Sequence, residues 1–165
     1  MSLLHCNVRS LIPKLDNLKA ECTIFKPQVV CICETWLGPD IEDNELSIDG
    51  YRIICLDRNR HGGGVALFIS SNLSHKLIYL GNGSFECIIV SLQFSPCKVC
   101  VCLLYRPPNS SCDFLDYLCD VLCSIDISLF SNVLLLGDLN IDLLAQNQLV
   151  FSSFISTGCK SPYSF

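Results

Sequence analysis

The segment NVLLLGDLNID, residues 132–142, decides the fold class of this chain. Residues 133–136 are apolar and too few for a helix, so we predict a strand that is buried on both faces. Gly137 then lets the backbone turn, and Asp138 and Asn140 follow two residues apart. Residues at i and i+2 of an extended segment point to the same side, so both side chains can reach one site. In layered α/β proteins, ligands collect at such strand ends.

Asp138 and Asn140 also have complementary chemistry. The aspartate supplies a negative charge, and the asparagine supplies a neutral hydrogen-bond donor. Such a pair suits a reaction in which one group orients a nucleophile while the other donates to an oxygen that gains charge. We therefore take both residues as candidate catalytic residues.

Length and composition fit one apolar domain. Of the 165 residues, 50% are hydrophobic and 16% are charged, which predicts that most strands are covered on both faces. The apolar runs are far shorter than the ~20 residues of a membrane span. The first residues lack the features of a signal peptide, so we expect an intracellular protein. The net charge of −5 argues against binding of nucleic acid by bulk electrostatics.

Thirteen cysteines raise the question of disulfides or zinc. Several lie within apolar runs of strand-like character: Cys31, Cys33, Cys87, Cys100 and Cys102. In such runs a thiol behaves as a small hydrophobic side chain. Cys97 and Cys100 lack a second pair at zinc-site spacing, because Cys119 and Cys123 are at helical spacing. We expect reduced, buried thiols and keep a thiol-rich metal-binding or interaction protein as the less favoured alternative.

The hydrophobic pattern along the chain predicts a mixed α/β order. Strands are predicted at residues 3–8, 29–33, 51–56, 64–69, 86–94 and 99–105. Helices are predicted at residues 12–25, 112–127 and 149–156. The polar, glycine-terminated connector after residue 56 indicates a hairpin, and a second strand pair forms around Ser95-Pro96. This order predicts a layered α/β sandwich on a largely antiparallel sheet.

Polar side chains follow other predicted strands as well. Asn7 follows the first strand, Glu34 follows the second, and Tyr105 ends the strand that begins at residue 99. Each residue alone is more often a turn, cap or packing residue. Together with Asp138 and Asn140 at another strand end, they favour one shared site.

Five segments make the sequence similar to a known family. Endonuclease/exonuclease/phosphatase domains carry, in the same order and at similar spacing, segments like LHCNVRSL, VCICETWL, GYRIICLDRNRHGGGVALFI, LLYRPP and LLLGDLNID. The chain most resembles the apurinic-like endonuclease of non-LTR (LINE-type) retrotransposons, because the GGGVALFI and YRPP segments are typical of that branch. The resemblance covers residues 3–158 and leaves residues 159–165 as a divergent tail.

The resemblance implies a four-layer α/β/β/α sandwich (DNase I-like) and Mg²⁺-dependent hydrolysis of phosphodiesters in DNA, with Mn²⁺ as an alternative ion. It implies that Glu34 holds the metal with Asn7 beside it, and that Tyr105 contacts the phosphate. Asp138 and Asn140 would orient the attacking water and stabilise the phosphoryl oxygens. It further implies a reverse-transcriptase domain on the same polyprotein and, for action on DNA, a nuclear location.

The chain departs from the family pattern after the GDxN strand. Family members continue with another aspartate in a strand and with an SDH-like segment, whose aspartate binds metal and whose histidine completes the base machinery. The histidines here, His5, His61 and His75, lie outside such a context, and we expect His5 to be a structural or surface residue. The resemblance therefore implies a domain without its last strands and with an open sheet edge. A catalytically incomplete fragment without activity is the alternative function.

Overall fold

The computed structural model describes residues 1–82, 85–108, 110 and 113–141. The strands are β1 (Leu3–Asn7), β2 (Val29–Cys33), β3 (Tyr51–Leu56), β4 (Val65–Ser70), β5 (His75–Asn82), β6 (Glu86–Phe94), β7 (Cys97–Tyr105) and β8 (Asn132–Asp138). The α-helices are α1 (Leu15–Phe25) and α2 (Asp113–Cys123). Short 3₁₀ turns lie at Ile12–Lys14 and Ile127–Leu129.

Two four-stranded sheets pack face to face between the two helices. One sheet has the order β1-β2-β4-β3, and the other has the order β5-β6-β7-β8. Aliphatic side chains from the facing sides of both sheets form the central core. Helix α1 packs on the outer face of the first sheet and α2 on the outer face of the second. The predicted four-layer α/β/β/α sandwich is therefore confirmed.

The strand topology brings four strand ends together. β1 runs parallel to β2, and β8 runs parallel to β7, whereas the other strand pairs are antiparallel. Asn7 is the register partner of Cys33, and Tyr105 is the partner of Asp138. Because β1 also contacts β8 across the two sheets, the carboxyl ends of both parallel pairs meet at one end of the sandwich.

Helix α1 follows the predicted amphipathic pattern. Leu15, Leu18 and Cys22 are buried against the first sheet, and the helix is capped after Phe25 by Lys26, which has a left-handed φ of 45°. The predicted start at residue 12 falls in the 3₁₀ turn that precedes it. Helix α2 is shorter than predicted, and the predicted helix at residues 149–156 lies outside the described residues. No helix in the described ranges is both long and apolar enough to cross a membrane.

Strand β5 was not predicted from the sequence. No strand was expected between residues 69 and 86, although His75–Asn82 pairs with β6 along its length. The pairing register shifts between Leu77 and Tyr79. Such an irregularity turns the following side chains to the other face, so the strict alternation by which a strand is recognised is lost.

The prediction that β8 is buried on both faces is wrong. Leu134 and Leu136 pack into the central core, but Val133 and Leu135 are 40% and 37% exposed. Helix α2 covers side chains of β6 and β7 instead, and within the described residues β8 is the edge strand of its sheet. One face of β8 therefore contacts protein and the other is partly open to water.

The cysteines within the described residues are free thiols. The five that were predicted to be buried are each at most 1% exposed: Cys31, Cys33, Cys87, Cys100 and Cys102. Burial raises the pKa of the Cys31, Cys33 and Cys87 thiols to about 12, so they stay protonated and pack as apolar groups. Across the described ranges, no three His, Cys, Asp or Glu side chains are grouped so that they could hold a metal ion.

Gly137 occupies a position in β8 that no other residue fits. Its φ is 139°, and a Cβ there would overlap the carbonyl oxygen of Leu104 on the neighbouring strand β7. Because that oxygen belongs to the backbone, it cannot move aside as a flexible side chain would. The glycine thus allows close pairing of β7 and β8 immediately before Asp138.

Replacing Gly137 by alanine is expected to lower the free energy of unfolding by more than about 3 kcal/mol, because the β7 backbone must move. Gly50→Ala is the matched control: Gly50 has a φ of 83°, but no atom lies within 4 Å of the point that its Cβ would occupy. The free energy of unfolding of Gly50→Ala should therefore fall by only ~1 kcal/mol, the cost of left-handed backbone strain. Chemical denaturation of both variants measures the difference, and equal losses would contradict the steric argument.

Candidate active site

A hydrogen bond between Asn7 and Asp138 joins the two sheets at the candidate site. Asn7 ends β1 and Asp138 ends β8. The Asn7 Nδ2 atom donates to Asp138 Oδ2 over 2.7 Å. The residues are 131 positions apart in the sequence, so only the sandwich fold can bring them into contact.

Further hydrogen bonds fix both side chains. The backbone N–H of Arg9 donates to Asn7 Oδ1 at 3.2 Å, and the backbone N–H of Asn140 donates to Asp138 Oδ1 at 3.1 Å. Arg9 and Asn140 have left-handed φ values of 43° and 48°. Left-handed backbone in residues other than glycine is costly and concentrates at functional sites. Both strand ends are therefore held in a defined geometry, which is strained at Arg9 but not at Asn140, because asparagine readily adopts left-handed backbone.

Glu34 accepts hydrogen bonds from two aromatic residues. The Tyr105 hydroxyl donates to Glu34 Oε1 at 3.2 Å, and the indole N–H of Trp36 donates to Oε2 at 3.2 Å. Burial and then the negative charge of Glu34 raise the pKa of Tyr105 to about 12. Tyr105 therefore remains a protonated phenol at neutral pH and acts as a hydrogen-bond donor.

The backbone around Glu34 is hydrogen-bonded to a glycine turn. Glu34 and Trp36 have left-handed φ values of 57° and 53°. The N–H groups of Thr35 and Trp36 donate to the carbonyls of Gly64 and Gly63 at 3.2 and 3.1 Å. These bonds tie the segment that follows β2 to the turn that precedes β4. The position of the Glu34 carboxylate thus depends on residues almost thirty positions later in the chain.

Arg106 organises the loop that follows β8. Its guanidinium donates to the carbonyls of Leu139 and Asn140 at 3.2 and 3.3 Å and to the Ser110 carbonyl at 2.6 Å. In return, Asn140 Nδ2 donates to the Arg106 carbonyl at 2.8 Å. The side chain of Asn140 is therefore oriented by the backbone of the YRPP segment rather than by Asp138.

The predicted site residues thus fall into two hydrogen-bonded pairs and one neighbour. Asn7 pairs with Asp138, Glu34 pairs with Tyr105, and Asn140 binds Asp138 through its backbone. Trp36 and Arg106 were not assigned to the site from the sequence. Trp36 lies in the quoted segment VCICETWL, and Arg106 lies in LLYRPP. Their adjacency to Glu34 and Tyr105 was the signal that could have identified them.

His5 lies near this site on the exposed edge of β1. Its Nε2 is 3.7 Å from the Cys33 Sγ. Partial burial lowers the pKa of His5, and the negative charge of Asp138 counteracts that effect. His5 is therefore a surface residue within the electrostatic range of Asp138.

The donor set at the site fits a hard divalent cation. Glu34, Asp138 and Asn7 offer carboxylate and carboxamide oxygens. Each oxygen of Glu34 accepts one hydrogen bond from the described side chains, which leaves it further acceptor capacity. Mg²⁺ in such sites takes one or two carboxylates and keeps several waters. A cluster of many acidic residues is therefore not required.

Comparison with known proteins gives one family. The model of the endonuclease/exonuclease/phosphatase family matches residues 4–149. No curated protein matches the sequence.

Solved structures share the fold at low sequence identity. The endonuclease domain of TRAS1, a telomere-specific non-LTR retrotransposon, has a TM-score of 0.71 and 12% identity, with 94% of this chain and 71% of that domain covered. The AP endonuclease LMAP from Leishmania major has a TM-score of 0.68 and 16% identity, with 85% and 55% covered. The human Nocturnin catalytic domain has a TM-score of 0.60 and 16% identity, with 99% and 77% covered.

The matching chains are longer than this one. The chain spans 55% of the Leishmania enzyme and 58% of an AP endonuclease from Archaeoglobus fulgidus. The family model nevertheless covers the five quoted segments and the strand ends that carry Asn7, Glu34, Tyr105 and Asp138. On sequence and on fold together, the chain belongs to the endonuclease/exonuclease/phosphatase family.

Proposed function

We propose that this chain hydrolyses phosphodiester bonds of DNA in a divalent-cation-dependent reaction, as the nicking endonuclease of a non-LTR retrotransposon. The observation that carries the proposal is the Asn7–Asp138 hydrogen bond next to the Glu34–Tyr105 pair. These pairs bring two carboxylates and several hydrogen-bond donors to one end of the sandwich, which supports a metal-binding role for one carboxylate and a proton-accepting role for the other. Metal-assisted phosphodiester hydrolysis uses such a combination.

Asp138 is the group that accepts the proton in the proposed reaction. A water oxygen attacks phosphorus, its proton passes to a carboxylate oxygen of Asp138, and the bond from phosphorus to the leaving oxygen breaks. The donors Asn7 Nδ2 and Asn140 N–H hold the carboxylate in place. A base that is already oriented needs no rearrangement when the reaction occurs.

The carboxamides are the proposed donors to the phosphate, and the one O–H of Tyr105, which donates to Glu34 here, is proposed to turn to the phosphate when Glu34 binds the metal. The phenol of Tyr105 is protonated at neutral pH, and the residue is 4% exposed. Asn7 and Asn140 each carry an Nδ2 group with a second N–H beyond the one that is bonded. Donors placed in advance stabilise the charge that develops on the phosphoryl oxygens.

Glu34 and Asn7 would hold the metal, for which we propose Mg²⁺ with Mn²⁺ as the alternative. When bound, such an ion polarises the phosphoryl oxygens and neutralises developing charge. Glu34 is suited to this role because two donors fix its carboxylate. The segment Glu34–Trp36 is itself tied to the turn at Gly63 and Gly64.

DNA as the substrate is compatible with the acidic composition because basic side chains lie near the site. Arg9 lies two residues after the end of β1, and Arg58 and Arg60 lie in the loop that leads to Gly63. The side chains of Arg58 and Arg60 are 41% and 58% exposed. Contacts from these residues to phosphates would position the duplex without reading its sequence. A reverse-transcriptase domain on the same polyprotein and a nuclear location are further parts of this proposal.

A nicking assay on supercoiled plasmid tests the proposed function. With Mg²⁺ or Mn²⁺, the chain is expected to convert supercoiled DNA to the nicked circle, and excess chelator is expected to stop the reaction. A duplex with one abasic site, compared with an intact duplex, separates abasic-site cleavage from general nicking. If a folded preparation cleaves none of these substrates with either ion, the chain is instead a domain of this family without activity.

A further inference from the structure

Glu86 is a buried carboxylate that the proposed reaction does not use. It begins β6, is 4% exposed and lies opposite Tyr105 in the antiparallel ladder with β7. Cross-strand partners project their side chains to the same face, with Cβ atoms about 5 Å apart. Glu86 therefore stands beside the phenol that donates to Glu34.

The carboxylate of Glu86 lies against the turn formed by Gly63 and Gly64. A Cβ on Gly63 would be 2.9 Å from Glu86 Oε1, and the two glycines have left-handed φ values of 74° and 82°. Arg58 Nε is 3.6 Å from the same oxygen. Burial raises the pKa of Glu86, while the charge of Arg58 and the backbone amides of Glu86 and Gly64 counteract it.

The glycine turn transmits this contact to Glu34. The carbonyls of Gly64 and Gly63 accept hydrogen bonds from the N–H groups of Thr35 and Trp36. Glu86 belongs to the second sheet, whereas the turn leads into β4 of the first sheet. The carboxylate thus links the sheet that carries Tyr105 to the sheet that carries Glu34.

We propose that Glu86 is a positioning residue of the site: its carboxylate, seated between the glycine turn and Arg58, fixes the segment of Glu34 against the strand of Tyr105. The part of this role that concerns metal and phosphate rests on the proposed function. The part that concerns the position of the Glu34 segment can be measured in the metal-free protein.

Trp36 provides the measurement. It is the only tryptophan in the chain, and its indole N–H donates to Glu34 Oε2. Its fluorescence therefore reports on this segment alone. Glu86→Ala is expected to raise acrylamide quenching of Trp36 in the metal-free protein. It is also expected to weaken Mn²⁺ binding, followed through Trp36, by about 10-fold or more, as loss of an outer-shell partner typically does.

Two variants serve as comparisons. Glu86→Gln keeps a hydrogen-bond acceptor of the same shape at the glycine turn, so it is expected to restore both readouts to near those of the unchanged chain. Asp40→Ala removes the exposed carboxylate that pairs with Arg60, and Arg60 lies in the same loop as Arg58. Because that ion pair is exposed, its removal is expected to change neither readout.

A folded Glu86→Ala protein with unchanged acrylamide quenching would overturn the proposal. If that variant does not fold, Glu86→Asp replaces it, because aspartate keeps the charge but withdraws the carboxylate from the turn. It is expected to raise quenching in the same direction, and unchanged quenching would again overturn the proposal. Failure of the unchanged chain to nick DNA would contradict only the proposed function, because acrylamide quenching needs neither metal nor substrate.

Discussion

Replacing Asp138 by asparagine is expected to lower the rate of plasmid nicking by at least about 10²-fold, the lower end of what general acid–base catalysis contributes. Asparagine has nearly the same shape but cannot accept the proton of the attacking water. Its new amide NH₂ would also face one of two donors, either Asn7 Nδ2, which now donates to Asp138 Oδ2 at 2.7 Å, or the Asn140 N–H, which now donates to Oδ1. Asn7 cannot present its oxygen instead without losing the hydrogen bond from the Arg9 N–H.

Asp126→Asn is the matched control for this variant. The Oδ1 of Asp126 accepts the N–H of Ser128 at 3.1 Å, just as the Oδ1 of Asp138 accepts the N–H of Asn140 at 3.1 Å. Asp126 is exposed and precedes the 3₁₀ turn Ile127–Leu129. The control should nick at the full rate. Equal rates for both variants and the unchanged chain would show that Asp138 is not catalytic.

The sequence could predict which residues form the site, but not how they pair. Asn7, Glu34, Tyr105 and Asp138 were identified because each is a polar residue at the end of an apolar run. That local pattern requires no knowledge of the partner strands. The specific pairs, Asn7 with Asp138 and Glu34 with Tyr105, depend on the two sheets facing each other with β1 near β8. No local pattern contains that information.

Residues that act through backbone groups were harder to recognise. Arg106 binds carbonyls of the loop after β8, and Glu86 lies against the backbone of two glycines. Backbone groups are the same in every residue, so the sequence does not show which of them a side chain will bind. Glu86 also begins an apolar strand, where a charged residue is expected at an exposed end. Only its burial in the fold distinguishes it.

The two errors in the fold have a similar origin. β5 contains a register shift, so its faces do not alternate regularly. In β8 the apolar run suggested cover on both sides, but α2 packs on side chains of β6 and β7 instead. Hydrophobicity records that a strand is apolar, whereas cover depends on where the next layer lies. The order of the layers was therefore predictable, whereas the burial of each face of each strand was not.

The remaining prediction concerns the carboxylate of Glu34. Glu34→Gln is expected to weaken Mn²⁺ binding, measured through Trp36 fluorescence, by at least about 10-fold, since loss of even an outer-shell partner costs that much. Nicking should fall by at least the same factor. The amide supplies no charge, but its oxygen can still accept from the Trp36 indole N–H and its Nε2 can donate to the Tyr105 hydroxyl oxygen. The variant thus loses the ligand charge while both neighbours of the side chain keep a hydrogen-bond partner.

Glu45→Gln is the control, because Glu45 is exposed and its carboxylate also accepts a hydrogen bond, from the N–H of Glu42 at 3.0 Å. It is expected to bind Mn²⁺ and nick DNA as the unchanged chain does. Unchanged Mn²⁺ binding in Glu34→Gln would remove Glu34 as a metal ligand even if nicking were lost. Unchanged nicking with weakened binding would instead mean that the bound ion is not the one used in catalysis. Trp36 fluorescence reports on Mn²⁺ binding, and the plasmid assay reports on DNA cleavage. Glu34→Gln and its control therefore separate the role of Glu34 in binding the ion from its role in cleavage.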